Sequence, residues 1–244
     1  MKISAEVKAN TRARLLNAAV DVISEKGFKT ASMREIARRA DVGDATIYNY
    51  FPSKEKLLYG YCLYVQEQVR DSLQSIENFH EYTLAEQLHQ LVETELRFWL
   101  PAREFLQEVF ALTYASPGTG HEHLRATREL FSAMVVDMLD AAIEAGEIPE
   151  QPYHDLLPRL FWDYTSAILA YWLEDDSESF SNTTHLVDQS IDIAEKLLLT
   201  GLIGKVLDML SFLFRTHLLG QMTKLKNFTD DPAFVSAKRR FMEG

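Results

Sequence analysis

Ser32-Met-Arg-Glu-Ile-Ala-Arg-Arg-Ala-Asp-Val-Gly-Asp-Ala-Thr-Ile-Tyr-Asn-Tyr-Phe-Pro-Ser-Lys54 reads as two short helices with a tight turn between them. Ser32 followed by Glu35 is a capping-box start. Met33, Ile36, Ala37 and Ala40 then fall at helical spacing and make one apolar stripe. Asp41-Val42-Gly43 breaks that stripe with turn residues. A second helix follows with Ile47 and Phe51 inward, and it stops at Phe51 because Pro52 disfavours the α conformation before it. Two such helices joined by a short turn make a helix-turn-helix, whose second helix lies in a DNA major groove. The outward residues Asp44, Ala45, Thr46, Tyr48 and Asn49 are small, polar or aromatic, as a base-reading face needs. The same pattern also suits a plain αα-hairpin inside a helical bundle.

Working outward, Leu15, Ala19, Val22 and Ile23 stripe a preceding helix that Gly27 ends, with Asn10 or Thr11 as its cap and Phe28 packed under the helix-turn-helix. Lys2 and Lys8 fall in a polar N-terminal arm. Ser53 caps a following helix that runs to about Ile76, with Lys54 in its first turn, where backbone N–H groups favour an anion.

These residues carry a resemblance. Thr11-Arg12 through Gly27, Ser32 through Ala37, Thr46 through Phe51, and Ser53-Lys54-Glu55 with Leu57-Leu58 resemble the DNA-binding domain of the tetracycline-repressor (TetR) family. The resemblance covers roughly the first 58 residues. It implies an all-α homodimer that represses transcription at a double-stranded DNA operator and lets go when a small-molecule effector binds. It also implies that Arg34, Asp44, Ala45, Thr46 and Asn49 face bases, and that Ser32, Tyr48, Tyr50 and Lys54 face phosphates. Arg34 is the strongest expected reader, since guanidinium pairs bidentately with guanine. Three residues depart from the family pattern: Asp41 stands where Gly is usual, Gly43 where Ser is usual, and Asp44 where a neutral or basic residue is usual. Asp44 is set against the phosphates, so its expected role is to accept from a cytosine amino group, with the alternative of a helix-start charge.

The net charge of −11 argues at first against DNA, but its distribution reverses that. Residues 1–56 hold 11 Lys and Arg against 7 Asp and Glu, a net +4; residues 57–244 hold 14 against 29, a net −15. A basic head on an acidic body suits groove binding by the head alone. One cysteine, Cys62, excludes an intramolecular disulfide and reads as a buried, inert thiol in a reducing compartment. Met1–Asn10 has no apolar core of a signal peptide. The most apolar stretch, Leu197–Leu219, carries Lys205, Asp208 and Arg215, so no membrane span is expected and the protein reads as cytoplasmic.

The body reads as a helical bundle. Thr83 and Glu86 open a helix to Leu100, Pro101 interrupts it, and a helix from about Ala102 to Tyr114 ends in the loop Ser116–Gly120. Phe131, Val135, Met138 and Ala142 stripe the next helix, which Gly146 ends. Leu157 through Trp172 sustains a stripe over four turns, with Asp155 as its cap and Pro158 in its first turn. Asp175–Thr184 reads as a polar loop, and Val187, Ile191, Ala194 and Leu198 stripe another helix. Ile203–Leu219, apolar on nearly every side, reads as part of a dimer interface together with the stripes ending in Trp172 and Leu198. The organisation expected is an all-α chain with a three-helix head over 1–52, a ligand-binding and dimerisation body over 53–220, and a polar tail over 221–244 that carries Lys238-Arg239-Arg240.

Large side chains crowd the body helices: Phe98, Trp99, Phe105, Phe110, Phe131, Met134, Phe161, Trp162 and Trp172. A pocket lined by some of them suits an aromatic or long-chain apolar ligand, while Glu95, Glu108 or Asp163 offers the alternative of selecting a cation. No enzyme signature stands out, and no cofactor is expected. The other reading is a metal-binding or oxygen-handling bundle, resting on Glu77-x-x-His80 and Glu86-x-x-His89. His121 and His123 read as solvent-facing.

Overall fold

The computed structural model describes residues 5–115, 120 and 122–213. These residues form helices and short 3-10 turns, with no strand among them. The head is α1 (Ala5–Lys26), α2 (Met33–Arg39) and α3 (Asp44–Tyr50). The body follows as α4 (Lys54–Gln74), α5 (Leu84–Trp99), α6 (Arg103–Ala115), α7 (Arg125–Glu144), α8 (Leu157–Leu173), α9 (Ser181–Leu199) and α10 (Leu202–Leu213).

Local chemistry sets several of these boundaries. Ser32 and Glu35 form the reciprocal capping box at α2, and Thr83 and Glu86 form another at α5. Ser53 Oγ accepts from Lys56 N at the start of α4. Gly27 takes a left-handed φ of 77° after α1, where a side chain would be strained. Pro101 falls in a 3-10 turn between α5 and α6, so the two helices run on with an offset rather than parting.

Some expectations need correction. Helix α1 begins by Ala5, so Asn10 and Thr11 lie inside it and neither is its cap; Thr11 Oγ1 bonds back to Val7 O at 2.8 Å. Lys8 is therefore helical, and Lys2 lies outside the described residues. Asp155 does not cap α8: Leu156 holds the cap position without a side-chain bond, although Pro158 does fall in the first turn. Asp175–Thr184 is a loop only in part: Glu178–Phe180 is a 3-10 turn and α9 begins at Ser181. Asp175 is buried, and its carboxylate accepts from Ser177 N and Oγ on one oxygen and from Thr183 N and Oγ1 on the other. It ties the end of α8 to the first turn of α9, and those bonds hold its carboxyl well below the usual carboxylate range. Most of the stretch Ser116–Gly120 and all of 214–244 lie outside the described residues.

A continuous core joins head and body. Leu15, Leu16 and Ile23 of α1, Ile36 of α2 and Ile47 of α3 are fully buried against one another and against Leu57 and Leu58 of α4. Gly60 of α4 allows that seat to close: a Cβ there would come within 2.8 Å of the Phe51 ring, which anchors the end of α3. Arg12 of α1 adds bonds to Glu67 and to the Gly60 carbonyl of α4, each at 3.4 Å. Phe51 at the end of α3 and Arg12 of α1 are thus both seated on α4.

Candidate functional site

The exposed face of the head is built by α2 and α3. Tyr48 and Asn49 are exposed, Ala45 and Asp44 stand beside them, and Thr46 and Tyr50 are half-buried. Ile47 behind them is fully buried and fixes which side faces outward. Ser32 is exposed at the start of α2, where its hydroxyl serves the capping box. All these expected contacts except Lys54 lie on or at the edge of that face.

The Arg34–Asp44 pair and the backbone conformation at Asp41 were not legible in the sequence. Arg34 and Asp44 form an ion pair across the turn, Arg34 Nε lying 2.9 Å from Asp44 Oδ2, with both side chains solvent-exposed. The expected cytosine acceptor is thus also the support of the expected guanine reader. Gly43 offers α3 no side-chain cap, and the Asp44 carboxylate in the first turn supplies the negative charge favoured there. Asp41, where the family pattern has Gly, takes a left-handed φ of 52°. Asp tolerates that region better than most residues, and Arg14 donates to the carbonyls of Ala40 at 2.5 Å and Asp41 at 3.0 Å.

Lys54 has a different setting from the one expected. Its ammonium donates to the carbonyls of Phe28, Lys29 (3.3 Å) and Ala31 (2.6 Å), and it sits 4.5 Å from the Phe28 ring centroid. Three N–H donors meet three carbonyls, so Lys54 braces the α1–α2 connection.

The body holds a cavity of about 380 Å³ between α4, α5, α6, α7 and α8. Of the nine large side chains expected there, Trp99, Phe110, Phe131 and Trp162 line it. The other five do not. Phe105 is fully buried in the core against Tyr61, and Trp172 packs on Phe180 and Arg103. Phe98 stacks with Arg97, Met134 lines a shallow surface groove, and Phe161 lines a separate apolar cavity of about 200 Å³. Glu95 and Asp163 do line the main cavity, and Glu108 lies instead beside Gly27 of the head.

Beyond Glu95 and Asp163, the polar lining was missed. Cys62 and Gln66, one turn apart on α4, face the cavity with Thr127 of α7 and Thr165 of α8. Gln66 Nε2, Glu95 Oε1, Thr127 Oγ1 and Thr165 Oγ1 are buried and have no hydrogen-bond partner. Burial pushes the Glu95 carboxyl up to about 7, against the opposing pull of Gln66 and Trp99. Burial likewise pushes the Cys62 thiol up to about 12, which leaves it inert as expected. A readable signal existed: Leu88, Leu91, Val92 and Trp99 form an apolar stripe on α5, and Glu95 interrupts it at the same helical spacing.

Residues 15–59 match the profile of bacterial regulatory proteins, tetR family, and residues 87–213 match the tetracyclin repressor-like C-terminal domain. This chain belongs to the TetR family. It is 29% identical over 164 residues to the transcriptional regulator UidR of Escherichia coli K12, covering 66% of this chain and 80% of the relative. It is 40% identical over 57 residues to the repressor KstR of Mycolicibacterium smegmatis, covering 23% of this chain and 28% of that one. The solved structure of Salmonella enterica GusR has a TM-score of 0.62 at 26% identity, covering 82% of this chain and all of GusR. FadR of Bacillus subtilis, solved with stearoyl-CoA, shares the fold at a TM-score of 0.56 and 19% identity, over 78% of this chain and 98% of FadR.

Function in the TetR family is ligand-responsive transcriptional repression, and this chain carries both of its domains. The metal-bundle reading is not favoured. Glu86 is spent on the Thr83 cap, and His89 pairs with Asp188 at 2.7 Å. Among the described residues no group of three or more His, Cys, Asp or Glu is placed to hold a metal. His123 is half-buried and stacks on Tyr59 at 4.9 Å, so it does not face solvent freely; His121 lies outside the described residues. No described helix is long and apolar enough to cross a membrane.

Proposed function

We propose that this TetR-family repressor acts as a cytoplasmic homodimer on a palindromic operator and is released by a small effector held in the 380 Å³ cavity. The observation that carries the effector site is the placement of α4: the helix that seats Phe51 at the end of the recognition helix α3 and takes Arg12 of α1 also forms a cavity wall through Cys62 and Gln66. An effector that presses on that wall tilts α4 and carries the head with it. Release then requires only that the effector bind the tilted form more tightly than the DNA-bound form.

In the DNA complex, Arg34, Asp44, Ala45, Thr46 and Asn49 face bases, while Ser32, Tyr48 and Tyr50 contact phosphates. Lys54 serves the phosphates through the loop it braces more than through its ammonium. The dimer forms through α8 and α9. Leu160, Ala167 and Tyr171 share one exposed face of α8, and Leu186 and Ile193 share one exposed face of α9. Trp172 and Leu198 are buried inside their own body and do not belong to that surface. Leu202, Val206, Met209 and Phe212 of α10 extend the exposed apolar area, and part of the stretch Ile203–Leu219 lies outside the described residues. Two heads then meet half-sites about 34–36 Å apart, or a multiple of that.

The test is selection of bound sequences from a random duplex pool at one fixed salt concentration. An enriched two-fold palindrome is expected. Binding with no sequence preference removes the operator reading.

A further inference from the structure

We infer that the effector is a compact, largely apolar molecule bearing a cationic nitrogen, held by Glu95, and that carboxylate-bearing or phosphate-bearing ligands are rejected. The inference rests on the reading of the body cavity as the effector site and adds the chemistry of what enters it.

The charge of the lining decides the sign. Glu95 and Asp163 are the charged side chains lining the cavity, and no Lys, Arg or His lines it among the described residues. Glu95 is inside, with 3% of its surface exposed, and Asp163 is exposed at the rim. A buried carboxylate with only the Gln66 amide and Trp99 beside it, and no cation among the described lining residues, repels a second anion and favours a cation. An anionic ligand would bring its own charge into the same dry space without a partner.

The unpartnered atoms give the pattern. Glu95 Oε1 accepts, Gln66 Nε2 donates, and the hydroxyls of Thr127 and Thr165 can do either. Buried polar groups are satisfied in nearly all folded proteins, so four such atoms lining one cavity describe a complementary ligand. That ligand places a positive N–H group on Glu95 and an acceptor, such as a hydroxyl or ether oxygen, within reach of Gln66. Its remaining surface is apolar and lies among the aromatic walls, whose π faces also attract a cation.

The arrangement makes release chemically specific. Gln66 is on α4, so the atom that reads the ligand's acceptor is on the helix that carries the head. The same full-size ligand without its nitrogen loses Glu95, and without its acceptor loses the grip on α4.

The test uses the full chain and three probes that share one skeleton and differ only in head group: phenylbutylamine, phenylbutanol and phenylbutyrate. Binding is measured by calorimetry, and operator release by fluorescence anisotropy of a labelled duplex from the selection described above. The amine is expected to bind at least about tenfold more tightly than the carboxylate, with the alcohol between them. Glu95→Gln is expected to lose about tenfold for the amine and to bind the alcohol nearly as before. Equal or tighter binding of phenylbutyrate, or no binding of any probe, overturns the inference. So does an unchanged amine affinity in Glu95→Gln, and the wild-type head-group series stands whether or not that variant folds. Amine preference without release of DNA leaves the inference intact and removes the release mechanism instead. Sequence-specific DNA binding with a preference for the carboxylate does the reverse.

Discussion

At the scale of single residues, two carboxylates do unusual work. Asp44 pairs with Arg34 at Nε, which in the proposed DNA complex leaves both terminal nitrogens of the guanidinium for a bidentate contact with guanine. The pair is exposed, so it adds little to stability on its own. Its effect is on orientation. Asp44→Ala and Arg34→Ala should therefore relax preference at the same base pair in each half-site, by about 1–3 kcal/mol. Asp44→Ala should also raise affinity for random DNA, because a charge that repels phosphates is removed. Selection with each variant checks this; relaxation of two different base pairs would mean that Asp44 reads a base of its own. Glu95 makes a second prediction, through pH. Its carboxyl titrates near 7 when folded, against an ordinary 4.5. The unfolded chain gives up that proton first, so stability falls as pH rises from about 4.5 to 7 and is flat beyond. The full cost is on the order of 3 kcal/mol. Glu95→Gln should remove that slope, stabilising the protein by roughly 2–3 kcal/mol near pH 8 and changing it little near pH 4. Urea denaturation across that range measures it, and a parallel pH dependence in the two proteins would be the contrary result.

At the scale of elements, the head depends on a buried brace as much as on its helices. Helices α2 and α3 have seven residues each, too short to be stable alone. They persist because Ile36 and Ile47 are fully buried and because Lys54 ties the connection between α1 and α2. Lys54→Met keeps the apolar stem over Phe28 and removes the ammonium. It should cost about 1.5–3 kcal/mol of stability, as expected for a charged hydrogen-bonding group, and weaken binding to all DNA sequences alike. A loss of DNA affinity with unchanged denaturation would return Lys54 to a direct phosphate contact. Asp41 marks a smaller strain in the same element, since a non-glycine residue there is left-handed. Asp41→Gly relieves about 1 kcal/mol of that strain, offset in part by the freedom glycine gains when unfolded. The net gain in melting experiments should be a few tenths of a kcal/mol.

At the scale of the whole molecule, a core runs from the head into the body and, among the described residues, an exposed apolar surface runs along α8, α9 and α10. Ile193 at 57% exposure and Leu160 at 41% sit on that surface rather than in the core. Their combined replacement, Leu160→Asp with Ile193→Asp, should give a folded monomer by light scattering. Losing the second head should then reduce operator affinity by about 100-fold or more. A dimer that survives both substitutions would place the interface elsewhere.

Much of this architecture is determined locally and was legible in the residues themselves. Ser32 with Glu35, and Thr83 with Glu86, announce two helix starts because a cap is made by neighbours three positions apart. Pro52, Gly27 and Gly146 end helices for reasons of backbone geometry alone. The ordered match over the first 58 residues identified the head, and Ile47 sets which face of α3 is outward. What remained for the tertiary structure was which partner each side chain meets. Periodicity shows that Trp99 and Trp172 are both inward, but only the packing of five helices leaves space beside one and fills it beside the other. Lys54 and Asp175 look like surface charges in sequence; one meets three carbonyls from a loop more than 20 residues away, and the other pins the start of a new helix. Arg34 and Asp44 are 10 residues apart, a separation at which no single helix would join them, and the turn between α2 and α3 does. Caps and breaks act over one turn of chain, whereas a cavity, a brace and an ion pair across a turn depend on distances that folding alone creates.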